Sequence, residues 1–213
     1  MIFASRQDAG QQLGRFLRDR GIAADLILGL PRGGVVVAAA VAREFALPLD
    51  VLVVRKIGHP MQPEFAVGAL AEPDSLFLSE ESLSAYPVAR EDLDRIVAEE
   101  TIRVREYGRR FHLSGMPAFA GKTVLVVDDG LATGATAEAA AISARKLSAK
   151  HIIITAPVAS THAVERLRQV ADGVEVLSQG IDFQAVGQYY DEFFQTSDEE
   201  VIELLREAAG RTG

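Results

Sequence analysis

Hydrophobic positions along this chain follow two alternating periods. Short apolar runs at Asp25–Leu30 (DLILGL), Asp50–Val54 (DVLVV), Thr123–Val127 (TVLVV), His151–Ala156 (HIIITA) and Gly173–Leu177 (GVEVL) have the length and β-branched content of buried strands. Helical repeats lie between them. Asp8–Arg20 carries Leu13, Phe16 and Leu17 on one side and stops at Gly21. VVVAAAVAREF follows Gly34; Ala137–Leu147 is Ala-rich; Thr161–Val170 comes later. Val88–Phe111 predicts a long helix with Leu93, Ile96, Val97, Val104, Tyr107 and Phe111 on a broad face. Ser197 caps a last helix, with Glu200 completing a capping box. Strand and helix in turn predict an α/β fold, a parallel β-sheet flanked by helices on both faces. No repeat or low-complexity linker divides the chain, so residues 1–213 are expected to form a single domain.

Two stretches depart from this alternation. Between Val54 and Thr123 lie far more residues than a crossover helix requires. Phe65–Leu70 and Leu76–Leu78 predict a hairpin around Ala71-Glu72-Pro73-Asp74 ahead of the long helix, an insertion of about residues 60–118. The second stretch, Ser178 to Phe194, holds Phe183, Tyr189, Tyr190, Phe193 and Phe194, most of which are expected to pin the tail to the core.

Charge narrows the partners. The 22 basic and 30 acidic residues give a net charge of −8, which argues against a general nucleic-acid surface. An anionic substrate would need a local concentration of positive groups. There is no Cys, which excludes disulfides and thiolate metal sites and fits a reducing cytoplasm. The first residues lack the apolar run of a secretion signal, and no apolar stretch is long enough for a membrane helix.

The candidate chemistry sits at strand ends. Thr123–Val127 is followed by Asp128-Asp129, a turn Gly130-Leu131-Ala132-Thr133-Gly134-Ala135-Thr136, and a helix. Helix-start amides and the helix dipole favour a phosphate, and two hydroxyls add donors. The acids suit vicinal hydroxyls of a sugar, or a metal through water. A second strand–turn–helix unit carries Pro31-Arg32-Gly33-Gly34, whose glycine spacing is not the dinucleotide fingerprint. Arg55 and Lys56 follow a third strand, where α/β sheets bind ligands. His59 reads as a loop residue, and Glu64 is a lesser candidate for the site. A phosphoryl-receiver reading fails because no Lys follows Lys150. A nucleotide-hydrolysing loop at Gly121-Lys122-Thr123 fails because position 116 is Met and a strand follows.

Hydrophobic strand, Asp-Asp and Thr-Gly-x-Thr together resemble the phosphoribosyl-diphosphate (PRPP) loop of type I phosphoribosyltransferases, with Gly130 replacing a more usual aliphatic residue. The resemblance implies a PRPP enzyme releasing pyrophosphate, with Mg²⁺ carried by the substrate and not caged by the protein. Asp128 and Asp129 would hold the ribose hydroxyls and touch the metal at most. Leu131, Ala132, Thr133, Gly134, Ala135 and Thr136 would bind the 5-phosphate. Arg32, Gly33, Gly34, Arg55 and Lys56 would bind pyrophosphate. It also implies a mobile loop in the insertion, a small hood at about 178–197 with Phe183, Tyr189 and Tyr190 as lesser acceptor contacts, and a homodimer. The acceptor, a nitrogen heterocycle, is unidentified. The Lys of 6-oxopurine enzymes and the Gly-Asp-x-Gly-Asp-Arg-like segment of uracil enzymes are both absent. Pro-Arg-Gly-Gly, Val-Val-Arg-Lys and Pro-Glu-x-Ala-Val-Gly-Ala look like a bacterial subgroup whose acceptors are mostly unassigned. A PRPP-binding regulator and a PRPP pyrophosphohydrolase remain alternatives on the same fold.

Overall fold

The structure, a computed structural model, describes residues 1–180 and 183–211, except the side chains of residues 63 and 64. The Glu64 side chain therefore lies outside the described residues. In chain order the elements are α1 (Arg6–Asp19), β1 (Leu26–Gly29), α2 (Gly33–Phe45), β2 (Leu49–Val51), β3 (Val54–His59), β4 (Gln62–Ala71), β5 (Ser75–Leu78), α3 (Glu80–Ala85) and α4 (Arg90–Phe111). There follow β6 (Thr123–Val127), α5 (Ala135–Lys146), β7 (His151–Ser160), α6 (Thr161–Leu167), β8 (Gly173–Gly180), a 3₁₀ turn (Val186–Tyr189) and α7 (Asp198–Ala209).

Five strands form a parallel sheet in the order β2-β1-β6-β7-β8. Strand alternation sends neighbours to opposite faces. Ile27, Leu125 and Val127 pack against Leu13, Leu17 and Val41 of α1 and α2. Leu26, Leu28, Val124, Val126, Ile152 and Ile154 pack against α5 and α6. The residues that α5 buries are mostly alanine, and a further layer packs against this helix.

That layer is a three-stranded antiparallel sheet, β3-β4-β5. The run Asp50–Val54, expected as one strand, is divided between the sheets. β2 ends at Val51 and β3 begins at Val54. Val51, Leu52, Val53 and Val54 are all buried, so hydrophobicity gives no mark of the exchange. The hairpin around residues 71–74 is present, and a second, β3–β4, precedes it. β7 runs past Ala156 through Pro157, because the β6 ladder has already ended at Val127↔Thr155. The short α3, capped by Ser79, has no apolar period of its own to announce it.

A buried polar cluster joins the insertion to the parallel sheet. His112, at the end of α4, places Nδ1 2.9 Å from Asp50 and Nε2 3.0 Å from Glu72. Glu72 also accepts from the Val53 amide at 2.6 Å, and its carbonyl accepts from the Ser143 hydroxyl of α5. Burial alone would depress the His112 pKa, but hydrogen bonds and charges from Asp50 and Glu72 outweigh it and lift it to about 9.

Candidate active site

β6 delivers the acid pair to the carboxyl edge of the sheet, beside the end of β1. Leu131 is buried and held like a strand residue: its amide donates to the Val158 carbonyl at 2.9 Å and its carbonyl accepts from Ser160 at 2.9 Å. The Ser160 hydroxyl donates to the Ala132 carbonyl at 2.6 Å. Past this anchored start, Ala132 and Thr133 are exposed. Gly134 turns the chain with φ +76°, a conformation that favours glycine, and caps α5. Ala135 and Thr136 then form the first turn of a 12-residue helix, an amide-rich end suited to an anion.

The turn before α2 presses directly on the acid pair. A Cβ at Gly33 would lie 2.1 Å from Asp129 Oδ2. At Gly34 it would lie 2.8 Å from the Val127 carbonyl oxygen and 2.9 Å from Asp128 Cα. Glycines at both places let the two loops touch. The Pro31–Arg32 peptide bond is cis.

Arg6, which the sequence did not single out, completes this junction. Its Nε donates to Asp129 Oδ2 at 2.7 Å and its Nη1 to the Phe194 carbonyl at 2.7 Å. The guanidinium lies 3.8 Å from the centre of the Phe193 ring. Asp128 is pushed well above the usual carboxylate range by burial and by the charge of Asp129. Arg6 thus neutralises Asp129 by ion pairing, while Asp128 holds its proton more readily than a free carboxylate.

Arg55 and Lys56, expected after the end of a strand, lie within β3 of the antiparallel sheet. Arg55 faces α4, where its Nε donates to Glu100 at 2.8 Å. With Pro31, Arg32, Val53, Val54 and Tyr107 it lines a hollow of about 300 Å³. Lys56 lines a different hollow of about 420 Å³, with Thr133, Ala135 and Thr136 of the phosphate-loop candidate and Arg166 of α6. Both also line a third hollow of about 400 Å³, with Gly58, His59, Arg95 and Glu100, so the two cations share one concave surface while each reaches a further one.

The aromatic tail closes over the other side of the acid pair. Phe3 pairs with Tyr190 in a short parallel bridge. Tyr190 is buried, stacks on Phe193 with centroids 5.1 Å apart, and donates its hydroxyl to the Asp129 carbonyl at 2.5 Å. Burial and the Asp129 charge raise its pKa. Tyr190 therefore braces the acid loop. Phe183 and Tyr189, half-buried, pair with each other at 5.0 Å. Val186 fills the space beside Gly130, where an added Cβ would meet it at 2.5 Å. The aliphatic residue missing at Gly130 is replaced from the tail.

Comparison with known proteins places these features in context. The family described as phosphoribosyl transferase domain matches residues 7–192. Two Mycobacterium tuberculosis proteins, from strains CDC 1551 and H37Rv, are each 39% identical over 208 residues. Their designation as phosphoribosyl transferases is itself provisional. The match takes in 97% of this chain but 47% of theirs, so the chain spans about half the length of these relatives. The protein TT1426 of Thermus thermophilus has a crystal structure similar at TM-score 0.83 and 41% identity, over 97% of this chain and 99% of that one. A purine phosphoribosyltransferase of Pyrococcus horikoshii shares the fold at TM-score 0.50 and 17% identity, over 92% and 97% of the two chains. Among the described residues no helix is long and apolar enough to cross a membrane.

Proposed function

The chain belongs to the phosphoribosyl transferase domain family, and on that premise we propose that it moves 5-phosphoribose from PRPP to a nitrogen heterocycle and releases diphosphate. One observation carries the reading: the acid pair and the 33–34 turn meet within contact distance at one sheet edge. Amides of Ala132–Thr136, with the Thr133 and Thr136 hydroxyls, hold the 5-phosphate; the Leu131 amide is committed to the Val158 carbonyl and only anchors the loop. Asp128 and Asp129 hold the ribose hydroxyls. Arg32, the amides of Gly33 and Gly34, and Arg55 take the diphosphate. Lys56 serves the phosphate-loop side. The acceptor meets the half-buried tail aromatics Phe183 and Tyr189.

In the reaction the C1–O bond to diphosphate breaks as a bond from the acceptor nitrogen to C1 forms. Positive charge builds on the sugar and negative charge on the leaving group, as in glycosyl transfer. Fixed donors meet that charge without having to reorganise. Asp128 and Asp129 are the carboxylates that would face Mg²⁺ carried by PRPP, which would supply charge neutralisation on the diphosphate. The donor set fits contact through water, since Asp129 commits one oxygen to Arg6 and the two carboxylates alone cannot make a full cage.

Titration of PRPP with Mg²⁺ into the folded protein tests the reading; saturable, Mg²⁺-dependent binding is expected, and its absence removes the proposal. The double change Asp128→Asn with Asp129→Asn should weaken PRPP binding by at least about tenfold. Diphosphate release that requires a heterocycle distinguishes a transferase from a regulator. Release without one identifies a pyrophosphohydrolase.

A further inference from the structure

We propose that Asp198 and Glu100 are positioning residues that preset Arg32 and Arg55 on the walls of one diphosphate hollow. The proposal rests on the function put forward above and adds residues which the PRPP-loop resemblance does not reach.

The two arginines come from separate segments, Arg32 from the turn before α2 and Arg55 from β3, yet both line the same hollow of about 300 Å³. Each has a carboxylate from a helix. Glu100 of α4 accepts from Arg55 Nε at 2.8 Å, and its other oxygen accepts from Arg103. Asp198, in the first turn of α7, places Oδ1 3.6 Å from Arg32 Nη1, while its Oδ2 accepts from Arg110 of α4 at 2.5 Å.

Exposure differs within each pair. The side chains of Arg32 and Arg55 are 36% and 39% exposed, whereas Asp198 and Glu100 are 14% and 10% exposed. The acids are sheltered and the cations are open to solvent. Asp198 Oδ1 is buried without a hydrogen bond, at ion-pair distance from Arg32. Arg110 fixes one oxygen of the carboxylate, and the other restrains Arg32 without saturating its donors.

A carboxylate near an anion site has two opposed effects. Its charge weakens the pull on the anion. Its contact holds a long side chain in one orientation, so less rotamer freedom is lost when the anion arrives. The sheltered acids and open cations favour the second effect.

The test titrates Mg²⁺ with inorganic diphosphate, and separately ribose 5-phosphate, into the wild-type chain, Asp198→Asn and Asp198→Glu. Thermal melting confirms that each is folded. Asp198→Asn should raise the diphosphate Kd about tenfold, equivalent to about 1.4 kcal/mol, and leave the ribose 5-phosphate Kd within about twofold. Asp198→Glu, which keeps the charge, should recover most of the loss. Unchanged or tighter diphosphate binding by Asp198→Asn overturns the proposal, because the acid then only competes with the ligand. If Asp198→Asn does not fold, Glu100→Gln applies the same test from the other anchor. A wild-type chain that binds ribose 5-phosphate but not diphosphate overturns the anchoring proposal alone; one that binds neither also removes the proposed function.

Discussion

The half of the site proposed to hold the sugar phosphate and the half proposed to hold the diphosphate are built in opposite ways. Strand, acids, turn and helix succeed one another from Thr123 to Thr136, and the strongest outside support is Arg6. The diphosphate half borrows Arg32 from one loop, Arg55 from another sheet, and carboxylates from α4 and α7. The first half carries its geometry in its own sequence. The second exists only once the insertion has docked. Damage near Asp129 should therefore act on one ligand group, while damage to the docking should act on the other.

The largest effect is expected where the local half has its outside partner. Arg6→Ala leaves Asp129 largely buried with its countercharge gone, at a cost of about 3 kcal/mol by analogy with broken buried pairs. Chemical denaturation should register that loss. Ribose 5-phosphate binding should weaken more than diphosphate binding, and equal weakening would erase the contrast between the halves. Gly34→Ala comes next. Its Cβ would press on the Val127 carbonyl and Asp128 Cα, both backbone atoms, so the loops must part. A destabilisation of about 2 kcal/mol is expected, with both ligand groups bound less well, because this residue lies where the halves touch.

The smallest effect concerns the docking anchor. His112 binds its proton more tightly in the folded chain, with a pKa of about 9. The stability from this proton is fully present below the unfolded value of about 6.5 and is lost as pH rises through about 9. Melting temperature across that window should fall with pH in the wild type and stay flatter in His112→Gln. Parallel curves would show that the histidine does not hold the insertion through its charge.

Legibility follows the same division. Thr123–Val127 is read at its observed ends because a continuous β-branched run closed by two acids has few other structures available. The parallel sheet follows from the recurrence of such runs. Asp50–Val54 misleads because one apolar stretch serves two sheets in succession, and burial does not say when a chain changes partners. Arg6 and Asp129 are separated by 123 positions, so no local pattern joins them. Glu100 and Asp198 look like ordinary solvated helix charges, and only the docking of their helices gives them arginines to hold. The basic pair Arg55-Lys56, expected just past a strand, lies inside β3, because the apolar run before it ends where one sheet hands over to the other.

The hydroxyl of Ser143 binding the Glu72 carbonyl has a mechanical consequence. It rivets the base of the antiparallel sheet to α5, so the sheet cannot swing as a flap without breaking a buried bond. The β3–β4 ladder is irregular between Ile57 and His59, and Met61 at the far bend is 83% exposed. If that sheet bends, the bend is expected in this outer loop beyond Gly58 and not at its riveted base.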